Sequence, residues 1–190
     1  MINRREAIKQ VAFIMGGSVI GANLFLQGCK RQASKDVAAL FEADATNILG
    51  ELAEAILPKT STPGAKEAGV GSFIPVMIRD CYDEKDQKAF LEGFNGLDDR
   101  AKKEFKKGFL ELSPEEKLQF VNNYDKEANK YQEQKKEEDA NHFFRMFKEL
   151  TLTGFFTSEV GMTKALRFVK IPGKYDGNYP YKKGDRAWAL

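Results

Sequence analysis

"LSPEEKLQF" (residues 112–120) decides the fold class. Ser113 can accept the first free N–H groups of a helix. Pro114 takes the first helical position, where a missing N–H costs nothing, and Glu116 reaches back to complete a capping box. Leu118, Val121 and Tyr124 then continue inward at helical spacing. The polar run "DKEANKYQEQKKEED" (125–139) that follows reads as a solvated helix or an exposed connection.

Working outward, other segments carry the same period. Val37, Leu40, Phe41, Ile48, Leu49, Leu52 and Ile56 predict a helix over 36–57, ended by Pro58. "PKTSTPGAKEAGVGS" (58–72) is loop chemistry, and Pro63-Gly64 predicts a type II turn with positive φ at the glycine. A second helix fits 73–82, with Phe73, Ile74, Met77, Ile78, Cys81 and Tyr82 on one stripe. Ser72 is its candidate cap, and Pro75 falls in its first turn. A third helix fits 85–106, with Phe90, Leu91, Phe94, Leu97, Ala101 and Phe105 inward, and a kink or split at Gly93 and Gly96. Phe143, Phe144, Met146, Phe147 and Leu150 crowd another helix, with Phe155 and Phe156 after Gly154. A smaller helix is expected over 158–168. The tail "IPGKYDGNYPYKKGDRAWAL" (171–190) has neither period and offers no strand pair. The expectation is a mainly α fold, a single helical domain over 36–190 with about five to six helices and a long irregular C-terminal arm over 171–190.

The opening, "MINRREAIKQVAFIMGGSVIGANLFLQGCK" (1–30), has the order of an export signal. Arg4, Arg5 and Lys9 precede an apolar run, Val11 to Leu26, broken by Gly16, Gly17, Gly21 and Asn23. That run is shorter than the roughly 20 apolar residues of a comfortable membrane span. "NRREAIK" resembles a twin-arginine signal, which routes proteins already folded. "LQGC" (26–29) resembles a bacterial lipobox, with Cys29 as the acylated residue. The reading is a cleaved signal peptide over 1–28 and a polar tether over 29–35; an uncleaved N-terminal anchor is the alternative. Acyl chains contribute about 0.8 kcal/mol per buried methylene, and more than one chain makes a stable anchor.

The formal charge of +2 sits in the leader, and the remainder carries 27 charges of each sign. Nothing there marks a nucleic-acid binder. With Cys29 acylated, Cys81 has no internal partner; it reads first as a buried thiol, with a bond to a partner subunit and a catalytic thiol left open. His142 is the single histidine, which argues against a histidine-built metal site and against Ser-His or Cys-His catalysis. No dinucleotide fingerprint, phosphate loop, CxxC or CxxCH motif occurs. Asp98-Asp99 and Glu115-Glu116 are adjacent acids, and neighbours on a helix do not share a face. No residue is therefore assigned to catalysis, cofactor or metal. Folded export is most useful when a cofactor is inserted before crossing. A chain without a cofactor site fits that route if a loaded partner crosses with it, or if it simply folds fast.

Four stretches carry a resemblance: "LAEAILPKTSTPGAKEAGVGSFI" (52–74), "FLEGFNGLDDRAKKEFKKGFLELSPEEK" (90–117), "FFRMFKELTLTGFFTSEVG" (143–161) and "IPGKYDGNYPY" (171–181) with Trp188. Together they resemble the gluconate 2-dehydrogenase subunit 3 family. The resemblance implies a non-catalytic small subunit. Its implied partner is a large flavin-dependent dehydrogenase of the glucose–methanol–choline type, which holds FAD and oxidises a sugar, sugar acid or glycoside. A c-type cytochrome is the implied electron acceptor. The implied roles are export, maturation and stabilisation of the large chain at the periplasmic face of a bacterial membrane.

Exposed loops of Tyr, Trp, Pro and Gly suit a partner interface, because aromatic anchors bury much area at low entropic cost. Two patches qualify: the loop with Pro58, Thr60, Pro63, Gly64 and Ala65, and the arm with Pro172, Gly173, Tyr175, Tyr179, Tyr181 and Trp188. Packing of each on the chain's own helices is the alternative. The competing functions are a stand-alone periplasmic lipoprotein with a binding or envelope-structural role, and a small enzyme using local carboxylates.

Overall fold

Helix α6 (Phe143–Thr157) organises the structure. Its buried apolar residues, Phe143, Phe144, Met146, Phe147, Leu150 and Phe155, cover about half of its circumference, while Leu152 and Phe156 are exposed on the other side. So wide an apolar face must be covered by several neighbours. It packs against α1 (Ala43–Ile56), α2 (Val70–Cys81), α3 (Glu84–Asn95) and α5 (Pro114–Gln134). The short α4 (Leu97–Phe105) continues from α3. The computed structural model describes residues 35–171 and 173–189, with the side chains of residues 37–171 and 173–189. The expected leader (1–28) with Arg4, Arg5 and Cys29, the tether up to residue 34, and Pro172 lie outside the described residues.

The fold is mainly helical, with six α-helices among the described residues. The capping box reads true. Glu116 N–H donates to Ser113 Oγ at 3.2 Å, and Ser113 N–H donates to Glu116 Oε2 at 2.8 Å. The long segment after residue 85 splits at Gly96, as its glycines suggest, and α5 carries the polar run as far as Gln134.

Several expectations are corrected. The helix expected over 36–57 is two elements, a 3-10 helix at Lys35–Phe41 and then α1. Glu42 is extended between them. Val37 and Leu40, three residues apart, match the tighter helix, whose side chains eclipse at that spacing. Helix α2 starts at Val70, capped by Gly69 at φ 73° rather than by Ser72, because Val70 and Gly71 are already packed in the core. Pro75 therefore falls in the second turn, also buried. Leu118 is 54% exposed, not inward. The buried stripe of α5 is Phe120, Val121, Tyr124 and Ala128, and two residues place Leu118 about 200° round the helix from Phe120.

Cys81 is exposed rather than buried. The end of α2 is closed instead by Gln87, which is buried and whose Nε2 donates to the carbonyls of Ile78, Arg79 and Tyr82 at 3.0, 3.2 and 3.0 Å. The smaller helix expected over 158–168 is present in shortened form: residues 159–160 are helical and run into a π-helical turn, Gly161–Ala165, before the chain extends at Arg167–Phe168. A Cβ at Gly161 would stand 2.8 Å from the Phe155 carbonyl carbon and closer still to its oxygen, so only glycine lets the chain fold back there. The tail does form a strand pair. β1 (Arg167–Phe168) and β2 (Trp188–Ala189) run parallel, with Arg167 opposite Trp188 and Phe168 opposite Ala189. Two residues are too few to show a period of two.

Candidate partner interface

The Pro58–Ala65 loop is built on one carboxylate. Glu54, in the last turn of α1, accepts the backbone N–H of Lys59 at 2.7 Å and of Lys66 at 2.8 Å. Ala65 N–H donates to the Leu57 carbonyl at 2.9 Å, and Thr60 N–H to the Thr62 carbonyl at 2.9 Å. Lys59 pairs with Glu67 at 3.0 Å. Pro58 and Thr60 face solvent, Pro63 is half-buried, and Gly64 and Ala65 are buried. Gly64 has no positive φ, so the expected type II turn is absent. Its role is space, since a Cβ there would stand 2.5 Å from the Glu54 carboxyl carbon.

Beside the loop, Glu51 bonds to Lys117 at 2.8 Å and also to Lys66. The Lys117 hydrogen bond first, and the Lys66 bond second, hold the Glu51 carboxyl below its ordinary pKa. Ala55, Pro58, Pro114 and Leu118 floor a shallow groove next to this cluster.

The arm is a closed loop with a built neck. Arg167 N–H donates to the Ala187 carbonyl at 2.8 Å, and Val169 N–H to the Ala189 carbonyl at 3.2 Å. The Arg167 guanidinium lies 4.4 Å from the Trp188 ring centre and 5.9 Å from that of Tyr179. Those two rings meet edge to face at 5.2 Å. Arg186 donates to the carbonyls of Thr163 and Lys164 at 3.3 and 2.8 Å. Tyr179 and Trp188 therefore belong to the neck. Tyr175 and Tyr181, 95% and 76% exposed, stand away from it, and Gly173 takes a left-handed φ of 72°. The loop and the arm are distinct features, and only the arm presents its aromatics outward.

The polar side chains that hold these parts were not legible as site residues. Glu54, Gln87 and Arg167 are single polar residues whose partners lie in other segments. His142 caps α6, its Nδ1 accepting Phe144 N–H at 3.2 Å, between Tyr124 and Tyr131. Burial pushes its pKa down, opposed by Glu127 at 3.7 Å. The adjacent acids are also engaged. Asp98 bonds to Lys102 and to Phe109 N–H, and Glu116 to Ser113 N–H and Lys107. The Lys102 bond first for Asp98, and the Ser113 N–H first for Glu116, hold their carboxyls below the ordinary range. They are ionised anchors, a poor starting point for moving protons at neutral pH.

Among the described residues no group of three or more His, Cys, Asp or Glu side chains could hold a metal ion, and no helix is long and apolar enough to cross a membrane. Comparison with curated proteins gives no match, and comparison with solved structures gives none either. A family model described as gluconate 2-dehydrogenase subunit 3 matches residues 43–173. That span begins with α1, takes in all six helices and β1, and stops where the arm leaves the helical body. The chain belongs to the gluconate 2-dehydrogenase subunit 3 family.

Proposed function

We propose that this chain is the non-catalytic small subunit of a flavin-dependent dehydrogenase of the glucose–methanol–choline type, acting on a sugar, a sugar acid or a glycoside. Catalysis and FAD reside in the large partner chain, which passes electrons on to a c-type cytochrome. The small subunit escorts and matures that chain and tethers it to the periplasmic face of a bacterial membrane through acylated Cys29. Arg4 and Arg5 send the pair through the twin-arginine route with the flavin already in place. The candidate surfaces for the partner are the Pro58–Ala65 loop and the arm.

One observation carries this reading: family membership over the whole helical body, which implies association with a dehydrogenase complex. The geometry is in keeping with it. The buried polar groups serve packing and capping, while the largest exposed aromatics gather on the arm.

Purification of the full chain from its native membrane tests the proposal. A flavin-containing dehydrogenase chain is expected to co-purify. Arg4→Lys with Arg5→Lys should leave both polypeptides in the cytoplasm, and Cys29→Ala should release the complex from the membrane. Recovery of the chain alone, acylated and without a flavoprotein, refutes the subunit reading in favour of a stand-alone lipoprotein. Export of the chain unfolded, with no companion bound, refutes the escort role.

A further inference from the structure

We infer that the arm's exposed tip is the element that docks the catalytic chain, and that the Pro58–Ala65 loop is not. This rests on the subunit reading above and divides the two surfaces named there. The loop's polar groups are consumed inside the chain. Glu54 holds Lys59 N–H and Lys66 N–H, Ala65 N–H is held by Leu57, and Gly64 and Ala65 are buried. The loop itself offers a partner only Pro58, Lys59, Thr60 and Ser61, with no aromatic anchor among them.

The arm is the opposite case. Its neck is fastened by Arg167, Tyr179, Trp188 and the β1–β2 pairing. Within the tip Asp176 accepts Asn178 N–H at 3.1 Å, and the large apolar side chains stand in solvent. Ile171, Tyr175 and Tyr181 are 79%, 95% and 76% exposed. A large aromatic side chain buries about 150–250 Å², so the two tyrosines supply on the order of 300–500 Å², to which Ile171 adds. A standard protein interface needs about 800 Å² per partner, and the stems of Lys174, Lys182 and Lys183 lie beside the same tip, all exposed.

Charge says what kind of surface fits. From residue 170 to 187 the arm carries five basic side chains against two carboxylates, while the chain after its leader is balanced. Asp185 is turned toward the neck, 3.9 Å from Arg167. The tip is therefore a cationic, aromatic knob. Its match on the dehydrogenase chain is an acidic rim around apolar pockets, with the lysines steering approach and the tyrosines providing the anchors. The closed neck also argues for a shaped protein partner over a lipid surface. Holding a loop in advance lowers the entropic cost of a specific fit, which a fluid headgroup layer does not reward. The family match ends at residue 173. Tyr175, Tyr181 and the lysines at 174, 182 and 183 lie beyond it.

The test places a benzophenone side chain at Tyr175 or at Thr60 in the full chain, in native membranes. After irradiation, the adducts are identified by mass spectrometry. The expected result is an adduct of position 175 with the flavin-containing chain, and none at position 60. An adduct at position 60, alone or together with 175, overturns the division. So does a lipid, a second copy of this chain, or nothing attached at 175 while the flavoprotein still co-purifies. Failure of any flavoprotein to co-purify with the unaltered chain refutes the subunit reading itself, and the docking assignment falls with it. As a second measurement, Tyr175→Ala with Tyr181→Ala should weaken the isolated complex by about 30-fold, the scale of one interface hot spot. Trp188 fluorescence should stay unchanged, showing that the neck is intact. Unchanged affinity overturns the proposal.

Discussion

Gly64→Ala probes whether the Pro58–Ala65 loop really depends on one carboxylate. A methyl at position 64 would stand 2.5 Å from the Glu54 carboxyl carbon and closer to both oxygens. The obstacle is the far end of a flexible side chain, so the collision is relieved by swinging Glu54 aside. That movement gives up the bonds from Lys59 N–H and Lys66 N–H. A hydrogen bond to a charged group contributes about 1.5–3 kcal/mol, and water at this exposed edge replaces part of it. The net loss is therefore about 2 kcal/mol for the pair of bonds. In a domain of this size each kcal/mol moves Tm by roughly 2–4 °C, so a fall of about 4–8 °C is expected. Glu54→Ala removes the same two bonds and should cost the same. With the carboxylate gone, the three atoms nearest the methyl go with it. The double variant should then be no less stable than Glu54→Ala alone, a coupling of about 2 kcal/mol. Thermal and urea unfolding of the full chain in detergent, followed by far-ultraviolet circular dichroism, measures all four corners of the cycle. Additive losses, about 4 kcal/mol in the double variant, would refute the reasoning. So would a Gly64→Ala chain as stable as the parent.

Gln87→Ala should cost about 2–3 kcal/mol, because it leaves the carbonyls at the end of α2 without their shared buried donor; hydrogen exchange in the last turn of α2 should quicken before that of α6. His142 sets a pH dependence. Burial depresses its pKa in the fold, with Glu127 pulling it up and Arg100 pushing it down, while the unfolded chain titrates near 6.5. Its contribution is complete above that value and is lost as pH falls through the depressed folded one. Urea midpoints measured from neutral to acid pH should show this loss, and His142→Asn, which caps without titrating, should flatten it. Arg167→Ala removes the cation over Trp188 and should cost only about 0.5–1 kcal/mol. The emission of the single tryptophan should nevertheless shift to the red and become easier to quench; unchanged emission would mean that the neck does not depend on this contact.

Much of the helical body is legible because its signals are local. Ser113, Pro114 and Glu116 satisfy one another within four residues, and Gly96 breaks a helix by its own backbone preference. The phenylalanines of α6 announce a buried helix by density alone. Misreadings begin where a face must be matched to what covers it. Cys81 continues the stripe of α2, but the chain turns at Tyr82 and a glutamine, not an apolar layer, lies beneath the helix end. Leu118 and Phe120 are two apolar residues on opposite sides of α5, and only the position of α6 decides which is inside.

The candidate site shows the same division more sharply. Composition marks the loop as a turn and the arm as aromatic, but it cannot sort their residues into those that hold the chain and those that face outward. That sorting is made by Glu54, twelve residues before Lys66, and by Arg167, twenty-one residues before Trp188. The location of Arg167 has a further consequence. It lies inside the family match, whereas Tyr179 and Trp188 lie beyond its end. The helical body thus supplies the fastening and the extension supplies the parts fastened. Substitutions at the tip can change which partner surface is met without loosening the neck, and the neck can be kept without fixing the tip.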